Sequence, residues 1–437
     1  VEEKLLHYAF RYRLYDSLVY VNGTEAGQAV SVLSPGELNI DAGPDFFNAS
    51  IKIGEAEMVG CVEIHKKSSD WYTHKHDRDP AYDNVILHIV LQDDVPVYHA
   101  NGSPLPTARI SIPGAMQRLA GELLSRSKSP ACIAEKDRIQ EGEWQHWLLQ
   151  LAGERLDRKA EQISQMLLPL QTDWNELTYI LLARYLGGNV NAEAFEQLAR
   201  HLPYSYIRKQ RGQLLQIEAM LYGIAGLIPD PSTLGEADED TIRYVEQLDR
   251  EYCFLAHKYG LSPLPAGCIR MLRIRPAAFP TIRIAQFAAL LHKHEFLFSR
   301  LMSASCVEEA EAVFDQVRVS PYWLTHYSFS TTRPEIKEQG ISRNTRQLII
   351  ANVLCPLLSA YGHIRKDNSY RERAKRLLEQ MPAEQNRYTR FFVPSVVKPT
   401  NMLQSQGLIQ LYKVYCSASR CLSCHIGYCL LSNTALS

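Results

Sequence analysis

The sequence predicts an α+β protein, with a strand-rich N-terminal part and a mostly helical remainder. Three observations carry this reading. Residues 48–65 alternate apolar and polar side chains on either side of a turn, as half-buried strands do. Residues 84–91, Asn-Val-Ile-Leu-His-Ile-Val-Leu, are apolar on both faces, which fits a central buried strand. Beyond Ile110-Ser111-Ile112-Pro113-Gly114 the apolar spacing lengthens to the helical period.

Taken in order, the chain opens with a polar amphipathic helix from Val1-Glu2-Glu3-Lys4. Asn48–Ile53 and Met58–His65 form a hairpin about a turn at Gly54-Glu55-Ala56-Glu57. On its second strand Cys61, Glu63 and His65 share one face, and Val62 and Ile64 share the other. Turns at Asp93-Asp94 and Asn101-Gly102 flank Val95-Pro96-Val97-Tyr98, which reads as an edge hairpin because Pro is tolerated there. In the remainder, Trp144, Trp147, Leu148 and Leu151 make one helical face, and Leu177, Ile180, Leu181 and Tyr185 another. Asp173 is placed to cap the second of these, with Glu176 completing a capping box. Gly187-Gly188-Asn189 ends it, Gly223 and Gly226 permit close packing, and the acidic stretch Glu236–Asp240 reads as a solvated helix start.

Bulk properties bound the function. With 437 residues the chain is too long for one ordinary core, and it divides at 125/126 into an N-terminal domain and a helical region open to further subdivision. Its 47 basic and 48 acidic residues leave a net charge of -1, which argues against a general electrostatic grip on nucleic acid and leaves room for a local basic stripe. No run of ~18 apolar residues is present, so no membrane span is expected. The opening residues lack a secretion signal's apolar stretch. Ten unevenly spaced cysteines suit a reducing compartment, and a cytoplasmic protein is expected.

The chemistry concentrates around Gly43-Pro44-Asp45-Phe46-Phe47 and Val62-Glu63-Ile64-His65-Lys66-Lys67. Asp45 enters one strand and Glu63 sits on the next, so both carboxylates can meet one divalent cation with the Ile64 carbonyl as a further oxygen ligand. Such an ion activates a water for phosphodiester cleavage. Asp41 stands close by in sequence. The loop from Ser68 to Pro80 supplies His74, His76 and Asp77 as further metal donors, and imidazole with carboxylate suits such ions. Lys66, Lys75 and Arg78 offer phosphate contacts there, and Trp71 and Tyr72 offer rings for base stacking. A bland reading competes at each point: Asp45 caps a turn, Glu63 and His65 form a cross-strand pair, and the loop is solvated around a buried Trp71.

These motifs resemble the metal-dependent nuclease superfamily named for its PD-(D/E)xK signature. The resemblance implies a restriction-endonuclease-like mixed sheet, Mg²⁺ or Mn²⁺ on Asp45 and Glu63, and a Lys that positions the attacking water. The Lys position falls on His65, a departure. Either His65 replaces it, or Lys67 reaches back, or the chain keeps the fold without cutting. More of the chain resembles a bacterial family known as domain of unknown function 2851, through Asn39–Phe46, Val62–His65, Ser69-Asp70-Trp71-Tyr72 and Ala81–His88.

Two sites remain. Arg273, Arg275 and Arg283 alternate with apolar residues, which suits either phosphate contacts or bridges between packed helices. Cys416, Cys421, Cys424 and Cys429, with His425 among them, suit Zn²⁺ or an iron–sulfur cluster, or else are small apolar thiols locking a helical hairpin. The expectation is a metal-dependent nuclease acting on nucleic acid, DNA first. Its rivals are a catalytically silent binding or scaffold protein and a metal-dependent hydrolase of small phosphorylated substrates.

Overall fold

The computed structural model describes residues 2–22, 26–125, 131–171, 173–235, 237–271, 274–275, 278–333, 336, 340–392 and 398–435. Two compact units emerge, and both are discontinuous. The first comprises residues 1–148, 386–398 and 408–437, and the second residues 149–385 and 399–407. A single cut at 125/126 therefore misses the return of the C-terminal segment to the first unit.

The first unit is built on a mixed sheet. Helix α1 (Glu3–Tyr12) precedes β1 (Ser17–Tyr20), β2 (Val30–Ser34), β3 (Glu37–Leu38), β4 (Phe46–Ile53) and β5 (Ala56–Lys67). Helix α2 (Asp70–Thr73), β6 (Val85–Gln92) and β7 (Thr107–Ser111) follow. The strand order is β1-β7-β6-β5-β4-β2, with β3 also pairing β4. Strands β4 and β5 form the expected antiparallel hairpin, tightened to a two-residue turn with Gly54 at φ +57°. Strand β5 then runs parallel to β6, and β6 parallel to β7. The doubly apolar run 84–91 becomes β6, inside the sheet and covered on both sides, as its composition requires.

The stretch after β6 departs from the sequence reading. Val95–Tyr98 makes no strand; it is a loop closed by a lone bridge between Tyr98 and Pro104. Pro96, Pro104 and Pro106 remove three backbone donors that a ladder would need. The loop is tied down from within: the Asp94 carboxylate accepts from Ser69 N–H and from the Ser68 and Ser69 hydroxyls.

Helix α3 (Gly114–Leu124), α4 (Ala131–Ala134) and the first residues of α5 (Glu141–Leu167) continue this unit. The C-terminal helix His425–Ala435 packs against α3, and Cys421 Sγ donates to Leu123 O at 3.0 Å.

The second unit is helical around one large core. Helices α6 (Trp174–Leu186) and α7 (Gly188–His201) meet at Gly187, where a Cβ would lie 2.4 Å from Asn191 O. Asp173 caps α6 by accepting from Asn175 and Glu176 N–H. The capping box stays half made, because the Glu176 carboxylate turns instead to Tyr204 N–H at the start of α8 (Tyr204–Lys209). Helix α9 (Leu214–Ile224) lies against α10 (Glu239–Tyr259) so closely that a Cβ on Gly223 would strike the Tyr252 ring at 2.1 Å. Asp238 caps α10, which gives the acidic stretch its helix start; Glu236 lies outside the described residues. Residues 343–365 make the one helix, among those described, long and apolar enough to cross a membrane; 72% of its apolar window is buried inside the protein, as in a core helix.

Glu218 on α9 is fully buried. Its Oε2 accepts from Ser320 Oγ at 2.6 Å, and burial pushes its carboxyl up to about 7. The folded state thus holds the proton more tightly than the unfolded chain, so stability declines as pH rises from the ordinary carboxylate range towards 7 and then levels off. Glu218→Gln should raise stability at pH 8 by on the order of 3 kcal/mol. The gain should fade below pH ~5, as read by denaturant melts across pH.

Candidate metal centre

Three elements deliver the site. Strand β5 presents Glu63 and His65 on one face, as its alternation dictates, while Val62 and Ile64 are sealed on the other. In the parallel register Glu63 pairs with His88 of β6, so His88 joins the same face. Behind it lies a small core of Cys61, Trp71, Tyr82, Val85, Val97 and Leu105. The loop after β5 supplies His74 at the end of α2 and His76 in the short helix His76–Arg78. Lys75 between them adopts φ +65°, a left-handed conformation that a lysine rarely takes. That turn brings both imidazoles to the sheet.

Asp45 and Glu63 meet through a reciprocal clasp. Asp45 Oδ2 accepts from Ile64 N–H at 2.9 Å, and Glu63 Oε2 accepts from Asp45 N–H at 3.0 Å. A bulge in β4, with Asn48 at φ +56°, adjoins this entry. His7 of α1 places Nε2 3.2 Å from Asp45 Oδ2. Burial pulls the His7 imidazole down, but the hydrogen bond and charge of Asp45, with the charges of Glu3 and Glu63, together outweigh it, and its pKa is raised.

The imidazoles converge. The donor atoms of His65, His74 and His76 lie within 4.8 Å of one another. His65 Nε2 is 3.1 Å from His74 Nδ1 and 3.4 Å from Glu63 Oε1, and His76 Nε2 is also 3.4 Å from Glu63 Oε1. Adjacent ligands on one zinc-class ion are about 3.3 Å apart, given metal–ligand distances near 2.0–2.1 Å. His65 Nδ1 lies 2.9 Å from His88 Nε2. In the tautomer where His65 Nδ1–H donates to His88, the lone pair on Nε2 faces the cluster, as a metal-binding imidazole requires. Burial drives both His65 and His88 down to about 3, so they are neutral at pH 7. Glu63 is raised, by burial above all, with the His76 hydrogen bond opposing and the Asp45 charge adding. His76 is further fixed by stacking on Tyr82, with ring centroids 3.7 Å apart, and by the edge of Trp71.

This donor set fits a transition metal. Three imidazoles and a carboxylate suit zinc, iron or manganese, whereas magnesium prefers an octahedron of oxygens and retained waters.

The structure brings Asp45, Glu63, His65 and His74 into one neighbourhood. It adds His7, His76 and His88, of which only His76 stood out in the sequence. His88 was hidden inside an apolar strand and His7 inside an amphipathic helix, where a histidine ordinarily signals nothing. Asp41 is exposed, its N–H held by Asn39 Oδ1, and Asp77 pairs with Arg78. Lys66 and Lys67 are exposed at the end of β5; parity puts Lys67 on the Glu63 face. Lys75 and Arg78 are exposed nearby, but Trp71 is only 1% exposed and its ring is not presented for base stacking. In the second unit Arg275 and Arg283 line a cavity of about 770 Å³ together with Lys159, Arg184 and Glu384. Arg273 lies outside the described residues. The four C-terminal cysteines are not gathered into one tight donor group: Cys429 lies instead with Glu143 and His425.

The chain belongs to the family described as "Protein of unknown function (DUF2851)", which matches residues 3–387. No curated protein and no solved structure matches it.

Replacing Asp45 tests the clasp. Asp45→Ala leaves the Ile64 N–H without its acceptor and should cost about 1–3 kcal/mol of stability. Asp45→Asn keeps an oxygen there and should recover most of that loss in denaturant unfolding.

Proposed function

We propose that the first unit is a metal-dependent phosphodiesterase acting on nucleic acid, with His65, His74, His76 and Glu63 as the metal-holding set. The observation that carries it is the convergence of three imidazoles, two of them against the Glu63 carboxylate, beside a second carboxylate, Asp45. An ion bound there would supply a water of lowered pKa and polarise a phosphoryl oxygen. The protein's own groups do the rest. His88 holds the His65 ring in its ligating tautomer, and Trp71 and Tyr82 keep water from the back of the cluster. Asp45, with His7 beside it, is placed to take or return a proton at its carboxylate. Lys67, Lys75 and Arg78 are exposed near the site and offer a local basic rim for a phosphate backbone, which suits a chain without net positive charge. The resemblance to the PD-(D/E)xK superfamily favours nucleic acid, DNA first, over a small phosphorylated substrate.

Two observations favour the silent reading. The clasp already engages one oxygen of each carboxylate with a backbone N–H, and a neutral His65 stands where the superfamily has a Lys. A binding or scaffold protein with the same sheet would retain both features.

Metal content and turnover distinguish the two. Purified protein should carry zinc, manganese or iron in elemental analysis, and His76→Ala or His74→Ala should lose it. His88→Gln should weaken metal affinity by about 10–100-fold through its hold on His65. Cleavage of single- and double-stranded DNA and RNA should depend on the added ion and vanish in Glu63→Gln. Equal inertness of wild type and Glu63→Gln with every ion would leave only the silent reading.

A further inference from the structure

We propose that Glu143, His425 and Cys429 form a second transition-metal site, of the zinc class, in the first unit. His425 and Cys429 are one helical turn apart on the C-terminal helix His425–Ala435, so their side chains share a face. Glu143 comes from the first turn of α5 and meets that face. His425 Nε2 is 2.5 Å from Glu143 Oε2 and 3.5 Å from Cys429 Sγ, and Sγ is 3.9 Å from the same carboxylate oxygen. All three donor atoms lie within 4.8 Å of one another. A sulfur and an imidazole nitrogen on one tetrahedral zinc stand about 3.5 Å apart, from bond lengths near 2.3 and 2.0–2.1 Å.

The arrangement is unlike a proton relay. In a nucleophile–histidine–carboxylate chain the thiol and the acid address different ring nitrogens. Here both address Nε2, so the three groups enclose one point. In the ion's absence a hydrogen bond joins His425 and Glu143 at 2.5 Å, and ligation would replace it and open the pair to about 3.3 Å.

The surroundings suit a bound ion. The His425 ring packs on Trp147, with centroids 5.7 Å apart, which fixes its plane. His146, one turn from Glu143 on α5, is exposed and has its ring centroid 6.3 Å from that of His425. Glu143 and His425 are half-buried, leaving the point open to ions from solvent. Of the remaining thiols, Cys421 is bonded to the Leu123 carbonyl.

Cobalt spectroscopy on the full chain tests this without any activity assay. Protein stripped by chelator and titrated with Co²⁺ should develop a thiolate-to-cobalt absorption band with tetrahedral visible bands. Cys429→Ser and His425→Gln should each abolish the thiolate band while leaving far-UV circular dichroism unchanged. His76→Ala should keep it, which separates this site from the cluster on the sheet. A wild type without the band overturns the proposal. So does a band that survives Cys429→Ser and disappears in Cys421→Ser/Cys424→Ser, which would give the ion to the neighbouring thiols.

Discussion

The reciprocal hydrogen bonds between Asp45 and the Glu63–Ile64 segment hold the N-terminal site in shape. Each carboxylate accepts from a backbone N–H on the opposite strand, so the two acids are locked at the point where β4 enters the sheet. A carboxylate accepting from a backbone amide in a buried setting makes a strong, directional bond. That bond fixes where Glu63 can aim its other oxygen, which faces His65 and His76. Without the clasp the two acids would be free to splay, and the imidazoles would lose their common partner.

Burial then sets the charge state of the cluster. Glu63, His65 and His88 are each 5% exposed or less, and desolvation dominates the shift of all three. Neutral imidazoles are what a metal needs, since a protonated ring has no lone pair to give. A group of buried polar side chains at the centre of a sheet is costly unless its members satisfy one another or an ion. The ring stacking of His76 on Tyr82 and the edge contacts of Trp71 show how the surrounding core holds the imidazoles in place.

A similar logic appears in the second cluster, with different parts. Glu143, His425 and Cys429 come from two helices rather than from a strand and the loop after it, and helical spacing replaces strand alternation in bringing His425 and Cys429 together. Both clusters draw on segments separated by loops or by most of the chain. The second cluster places its donors on helices, whereas the first takes two of its imidazoles from the loop after β5.

Much of the local structure was legible in the sequence. The hairpin of β4 and β5, the buried strand β6, the Asp173 cap and the tight glycines at 187 and 223 follow from spacing and steric size. So does the shared face of Glu63 and His65, because strand alternation is a property of the backbone alone. What the sequence could not disclose depended on pairing across distance. His7 and His88 sit in apolar patterns that conceal them until α1 and the parallel register of β6 carry them to Glu63. Cys429 looked like a partner of three other cysteines, yet a carboxylate 286 residues away in the chain lies against it. Trp71 read as a stacking ring, and the fold buries it. Periodicity fixes which side chains point together along one element; which elements meet is decided by the burial energy of the whole fold.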